Sequence, residues 1–125
     1  MTDPVSLRAV ELHILLSVVD RPRHGYAILQ EAEERTDGRP GFEFPTLYRA
    51  LQRLRDAKLI RATDAPEPGT DERRDYWEAT PLGRRALEAE LERLETVVSI
   101  GRARMAPAAA HGGVAGKARK AWGRS

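Results

Sequence analysis

The segment that most constrains this chain is residues 46–55, Thr-Leu-Tyr-Arg-Ala-Leu-Gln-Arg-Leu-Arg. Its apolar residues recur at intervals of three and four, which is the spacing of one face of an α-helix. They are Leu47, Ala50, Leu51 and Leu54. The other positions are basic or polar, and from Thr46 onward the first acid is Asp56. The pattern predicts a helix that buries one face in a small domain and presents a basic face outward.

Such an outward face is typical of helices that enter the DNA major groove, because Arg and Gln match the donors and acceptors on base edges. A solvated basic face is the ordinary alternative for an isolated helix. In the DNA interpretation, Thr46 and Tyr48 anchor on phosphate. The residues that reach base edges are then Arg49, Gln52 and Arg53. The sequence does not decide which residues touch bases and which touch phosphate.

The charge of the chain divides unevenly along its length. The 125 residues carry 21 Lys and Arg against 19 Asp and Glu, a net charge of +2. Residues 102–125 hold six of these cations and no acid, which leaves residues 1–101 with a net charge of −4. A nucleic-acid hypothesis therefore depends on local clustering of cations rather than on overall charge. The basic tail either adds non-specific DNA affinity or is simply solvated.

Composition excludes several other classes of protein. The chain has no cysteine, so it has neither a disulfide framework nor a thiolate metal site. Its three histidines lack ligand spacing, and we expect no metal and no cofactor. No nucleophile with a partnering base and no Gly-rich phosphate loop is present, so an enzyme is not expected. The longest apolar stretch, residues 14–19, is too short to span a bilayer, and we expect a cytoplasmic, nucleoid-associated protein.

The order of elements along the chain predicts the fold. Helices are expected over residues 5–19, from His24 or Gly25 to Thr36, and over the segment described first. Strands follow over residues 59–63 and within 71–79, and Thr80-Pro81 opens a last helix that reaches about Arg104. This is an α+β, mostly α fold: a winged helix-turn-helix of three helices plus a β-hairpin wing, with a C-terminal dimerisation helix. We expect a DNA-binding domain at 1–80, the dimerisation helix at 81–104 and a disordered basic tail at 105–125.

Over about residues 7–100 the chain resembles the PadR-like transcriptional regulators. The matching segments, in order, are Glu11-Leu12-x-Ile14-Leu15, His24-Gly25-Tyr26, Thr46-Leu47-Tyr48-x-Ala50-Leu51-x-Arg53-Leu54, Leu59-Ile60, Arg73-Arg74-x-Tyr76 and Thr80-x-x-Gly83. The resemblance implies a dimeric bacterial repressor whose winged helix binds palindromic double-stranded operator DNA and whose C-terminal helix supplies the dimer contact. It also implies that a small aromatic or drug-like effector, or another signal, acts at the dimer interface to release the DNA.

The chain departs from the family pattern at three places. Phe44-Pro45 stands where Pro-Gly or Pro-Ser is common, and Arg49 stands where proline often follows the tyrosine. Lys58 replaces a glycine, which leaves the C-cap of the third helix without its usual residue of positive φ.

Four further residues complete the predicted DNA-binding set. His24 is interpreted as a local hydrogen-bonding or phosphate-contact residue, and Tyr26 as core packing with its hydroxyl near the surface. Arg73 and Arg74 start the second wing strand, where arginine suits the minor groove or the backbone. Pairing of these arginines with the neighbouring acids of the wing is the alternative.

The last helix carries an apolar heptad seam only two heptads long, which is weak alone. Packing back on its own domain is one interpretation. The other is a two-fold interface in which this helix joins the apolar first helix. The residues expected at that interface are Leu7, Val10, Ile14, Leu87, Leu91, Leu94 and Val98.

The sequence therefore predicts a homodimeric DNA-binding transcriptional regulator, with repression as the expected mode. The rival hypothesis is a winged-helix adaptor that dimerises and binds protein rather than DNA, which the negative charge of residues 1–101 favours. Two recognition helices about 34 Å apart on one side of the dimer would discriminate in favour of DNA.

Overall fold

The computed structural model describes residues 7–36, 43–66 and 74–107. Its helices and strands occur in the predicted order, with one additional short strand. They are α1 (Ala9–Val18), β1 (Arg23–His24), α2 (Gly25–Thr36), α3 (Phe44–Asp56), β2 (Ile60–Thr63), β3 (Tyr76–Ala79) and α4 (Pro81–Met105). The prediction of a disordered tail falls almost wholly on residues outside this range, as does Arg73.

The chain divides into two compact units, one up to Glu90 and the other from Leu91 onward. The first unit has a single core, in which α1, α2 and α3 pack on one another and on the sheet. Its largest fully buried side chains include Ile14, Leu15, Ile28, Leu47 and Leu51. The predicted apolar face of α3 is confirmed, since all four of its residues are buried.

The wing is a β-hairpin, as predicted, and it is extended by one strand that the sequence did not indicate. β3 is central and pairs antiparallel with both β2 and β1. In β1, Arg23 lies opposite Trp77 and His24 lies opposite Tyr76. This two-residue strand joins the start of α2 directly to the wing.

The end of α3 contradicts the expectation about its C-cap. Lys58, which replaces glycine, itself adopts the left-handed conformation with φ 65°. Its amide donates to the carbonyl of Arg55 and the Leu59 amide donates to that of Leu54, both at 2.9 Å. These are the two hydrogen bonds of a Schellman motif, and the buried pair Leu54 and Leu59 supplies its hydrophobic contact. The cap is therefore complete, and the cost of positive φ falls on a lysine.

The start of α4 confirms the predicted cap. The Thr80 Oγ1 accepts a hydrogen bond from the Gly83 amide at 3.0 Å, as an N-cap does for the third helical residue. The first ten residues of α4 belong to the first compact unit, and Gly83, Leu87 and Glu90 are buried there. The globular unit thus continues beyond residue 80, where the sequence suggested that the DNA-binding domain ends.

Candidate nucleic-acid interface

The outer face of α3 has the composition that the sequence predicted. Tyr48 and Arg49 are exposed, and Gln52 and Thr46 are half-buried. Pro45 lies in the first turn, where its missing N–H leaves no hydrogen bond unmade. The helix is held by its buried leucines and can present these polar groups in a fixed orientation.

Three aromatic side chains cluster beside this face, and we call them the aromatic cluster: Tyr26, Phe44 and Tyr48. Their exposed fractions are 51%, 47% and 52%. The rings of Phe44 and Tyr48 are stacked, with centroids 6.4 Å apart and 26° between their planes. The prediction that Tyr26 packs in the core is wrong, because Ile28 fills the core position of α2 and Tyr26 points outward.

Arg74 links the wing to the aromatic cluster. Its guanidinium carbon lies 5.7 Å from the centre of the Tyr26 ring, within the range of a cation–π contact. Its Nη1 lies 3.4 Å from Nδ1 of His24. These residues line one cleft together with Phe44 and Tyr48, and the acidic Asp75 lines it as well. Side chains from β1, from the starts of α2 and α3 and from the segment just before β3 therefore line one cleft.

His24 also has a structural role in this cleft. Its Nδ1 accepts a hydrogen bond from the Ala27 amide at 3.1 Å, and so caps the first turn of α2. Its ring contacts the Tyr76 ring edge-on, with centroids 5.4 Å apart. The local hydrogen-bonding role predicted for His24 is therefore present.

Arg53, unlike Arg49, has an ion-pair partner on another helix within the described part of the chain. Its Nε donates to Oε2 of Glu11 at 3.0 Å, and the Glu11 side chain is only 10% exposed. The other oxygen of Glu11 accepts a hydrogen bond from the Arg8 amide at 2.9 Å and caps α1. One carboxylate thus ties the start of α1 to α3 through the Nε of Arg53, while the Arg53 side chain stays 39% exposed.

The residues expected at a dimer interface fall into two groups. Leu7, Val10, Ile14 and Leu87 are buried in the core of a single chain, so they retain little surface for a second copy. The apolar stripe of α1 is used mainly by its own domain. In the second unit, Leu91 and Val98 are exposed and Leu94 is half-buried, and they border one groove along α4.

Two important residues were not assigned a role from the sequence. In the sequence Phe44 stands out only as a departure from the family pattern, and its exposure beside two tyrosines is visible only in the structure. Glu11 entered only as a matching residue of the first helix. Its partner is 42 positions away, which no local pattern reveals.

Two classes of site are not observed in the described part of the chain. Residues 7–36, 43–66 and 74–107 contain no group of three or more His, Asp or Glu that could hold a metal ion. No helix within those ranges is both long and apolar enough to cross a membrane.

Known structures share this fold. A PadR family transcription regulator from Clostridium difficile superposes with a TM-score of 0.67 at 22% identity, over 78% of this chain and 98% of that one. The structure of Bacillus subtilis PadR in complex with operator DNA gives a TM-score of 0.56 at 20% identity, over 67% of this chain and 47% of that one. Bordetella bronchiseptica BpsR, whose structure addresses how 6-hydroxynicotinic acid regulates its DNA binding, gives a TM-score of 0.59 at 19% identity, over 82% of this chain and 70% of that one.

The sequence itself matches a family model over the region that contains this site. The match is to the transcriptional regulator PadR-like family and covers residues 14–89, from the middle of α1 into α4. That range is more than half of the chain and includes α3 and the wing. The chain belongs to the PadR-like family of transcriptional regulators.

Proposed function

We propose that this protein is a transcriptional repressor that binds palindromic operator DNA as a homodimer, through α3 and the wing. The observation that carries the proposal is the outer face of α3, where Arg49 and Gln52 lie next to Tyr48 on a helix fixed by its buried side. Arg and Gln can read guanine and adenine in the major groove by paired hydrogen bonds. The operator complex of the Bacillus subtilis PadR supports the assignment.

The wing and the start of α2 supply the backbone contacts in this proposal. Arg74 lies beside His24 and over the Tyr26 ring, and all three residues line the cleft. Contacts of this kind to phosphate fix the register of a protein on DNA without carrying sequence information. We assign Tyr26 and Thr46 to the same role, and we propose Arg73 as a further phosphate contact from its position in the sequence.

Dimerisation is assigned to the distal part of α4. Leu91, Leu94 and Val98 follow heptad spacing, and Val97 adds further exposed apolar surface. A single recognition helix reads few base pairs, and a dimer doubles the site. Replacing Leu94 and Val98 by Ser should shift the protein from dimer to monomer in analytical ultracentrifugation and weaken operator binding. A double variant, Leu94→Ser with Val98→Ser, that stays dimeric would refute this assignment.

We also propose that a small molecule relieves repression, that the chain has no catalytic activity and that it acts on DNA in the cytoplasm. The family membership supports the last two statements. The regulation of BpsR by 6-hydroxynicotinic acid supports the first. Titrating small aromatic acids into the protein–operator complex tests it, since an effector should release the operator and also raise the melting temperature of the free protein.

The test of DNA binding is an affinity measurement on operator DNA selected from a random duplex library. Binding is followed at about 150 mM salt with competitor DNA, which suppresses purely electrostatic attachment. Arg49→Ala should weaken specific binding about tenfold or more. Arg85→Ala removes the same charge from an exposed position on α4 and should change affinity little. Equal losses in the two variants, or selection of no sequence at all, would contradict the proposal.

A further inference from the structure

The aromatic cluster contains a residue that phosphate contact does not explain. Phe44 is the first residue of α3 and is 47% exposed, yet it has no polar atom to offer to phosphate. Among the described residues, every aromatic side chain that is strongly exposed belongs to this cluster. A contiguous exposed apolar patch marks a contact surface. Such a ring suits a partner that presents an apolar group.

The ring of Phe44 is held in a defined position. A Cβ atom placed on Gly25 would lie 3.5 Å from its Cε1 and 3.7 Å from its Cζ, so the ring rests on the start of α2. Tyr48 stacks on it from the next turn of α3. Contacts on two sides fix the direction of the ring, while nearly half of its surface stays accessible. This arrangement is organised for contact before any partner arrives.

The place of Phe44 in the fold identifies the apolar group it would meet. Recognition helices of this class insert their N-terminal residues into the major groove and contact base edges there. The apolar group that a base edge presents in the major groove is the C5-methyl of thymine. Arg49, five residues further along the helix and exposed, would supply a cation for the same groove.

We infer that Phe44, supported by Tyr48, reads the 5-methyl group of one thymine in each operator half-site. The inference rests on the proposed function, because it requires α3 to lie in the major groove. It adds a specificity determinant that hydrogen bonding does not provide: a preference for A·T over G·C at the position facing the first turn of α3.

The test uses uracil in place of thymine, which removes the methyl group and leaves every hydrogen-bonding group of the base unchanged. Each thymine of the selected operator is replaced singly and then symmetrically in both half-sites. For the wild-type protein, one position per half-site should be sensitive. The loss should be about fourfold for one half-site and about fifteenfold for both, as expected for burial of one methyl group.

The matched variants are Phe44→Ala and Tyr48→Phe. Phe44→Ala should bind the thymine operator as weakly as the wild type binds the doubly substituted uracil operator. It should then be indifferent to the substitution, so that the two changes are not additive. Tyr48→Phe keeps the ring and should retain the uracil effect, with any loss of a phosphate contact spread equally over all duplexes. Circular dichroism confirms that both variants are folded.

The outcomes separate this inference from the proposed function. If the wild type binds its operator specifically and no uracil substitution weakens it, the inference is overturned and the proposed function stands. If Phe44→Ala loses affinity but remains sensitive to uracil, Phe44 only packs against α2, and the inference fails. If no duplex is bound specifically, both fail. A single sensitive thymine per half-site, silenced by Phe44→Ala, establishes it.

Discussion

Replacing Gly83 by alanine should destabilise the protein, although alanine is the better helix former. Gly83 lies in the first turn of α4 and is buried against the backbone of Leu59, between α3 and β2. A Cβ atom at this position would lie 2.0 Å from the carbonyl oxygen of Leu59 and 2.9 Å from its carbonyl carbon. That carbonyl also accepts the hydrogen bond of the Thr80 amide, at 3.0 Å. A methyl group therefore cannot enter without moving backbone on one side or the other.

The size of the destabilisation by Gly83→Ala follows from three free-energy terms, of which the helix propensity of alanine opposes the other two. Overpacking a filled site costs about 1–3 kcal/mol, and a backbone obstacle places Gly83→Ala at the upper end of that range. Disturbing the hydrogen bond of Thr80 adds about 1 kcal/mol. The helix propensity of alanine returns about 1 kcal/mol relative to glycine. The free energy of unfolding should therefore fall by about 2–3 kcal/mol.

Gly101→Ala is the matched control in the same helix. A Cβ atom at Gly101 meets nothing within 4 Å, so only the propensity term remains. This variant should be more stable than the wild type by up to about 1 kcal/mol. Urea unfolding followed by far-UV circular dichroism, at one protein concentration for all variants, measures both changes. A Gly83→Ala variant as stable as the wild type would refute the close packing of α4 against Leu59.

Three further changes test other parts of the structure. Lys58→Gly should stabilise the protein by about 1 kcal/mol in the same urea assay, because it relieves a positive φ, whereas Lys58→Ala should give no such gain. Arg53→Met should destabilise the protein by about 1–2 kcal/mol, because the Glu11 carboxylate loses its ion pair. Adding Glu11→Gln to this variant should restore part of the loss, and a double variant with no recovery would show that the ion pair does not stabilise the fold. Burial, and then the neighbouring Arg35, lower the pKa of His13 from 6.5, so that the unfolded chain binds a proton more readily than the folded one. The contribution of neutral His13 to the free energy of unfolding should thus be fully present above pH 6.5 and decline below it. Melting temperatures measured across that range should vary less in His13→Gln than in the wild type, and an equal decline in both proteins would contradict this prediction.

The helices and their order could be predicted from the sequence because each has its own local signal. The apolar spacing of α3, the Thr80-Pro81 start of α4 and the breaks between helices are all readable within a few residues. β1 could not be predicted, because a strand of two residues has no periodicity and exists only through its pairing with β3. Lys58 shows the related case in which a position demands positive φ and the sequence does not supply the preferred residue.

The candidate site was predictable in composition but not in arrangement. Helical spacing placed Arg49 and Arg53 on the same basic arc, yet only the tertiary structure shows that Arg53 is held by Glu11. Tyr26 was expected inside because its spacing fits the apolar side of α2, and the neighbouring Ile28 occupies that place instead. Both differences come from contacts between elements distant in the sequence, which periodicity within one helix cannot contain.

Direct readout of DNA by α3 is tested by the operator preference of α3 variants. Sequences are selected from a random duplex library with the wild type, with Gln52→Ala and with Arg85→Ala as the control. Direct readout by α3 predicts that Gln52→Ala loses its preference at one position in each half-site and keeps the rest of the palindrome, while Arg85→Ala selects the wild-type sequence. Identical selected sequences from all three proteins, or no palindrome with any of them, would contradict direct readout by α3.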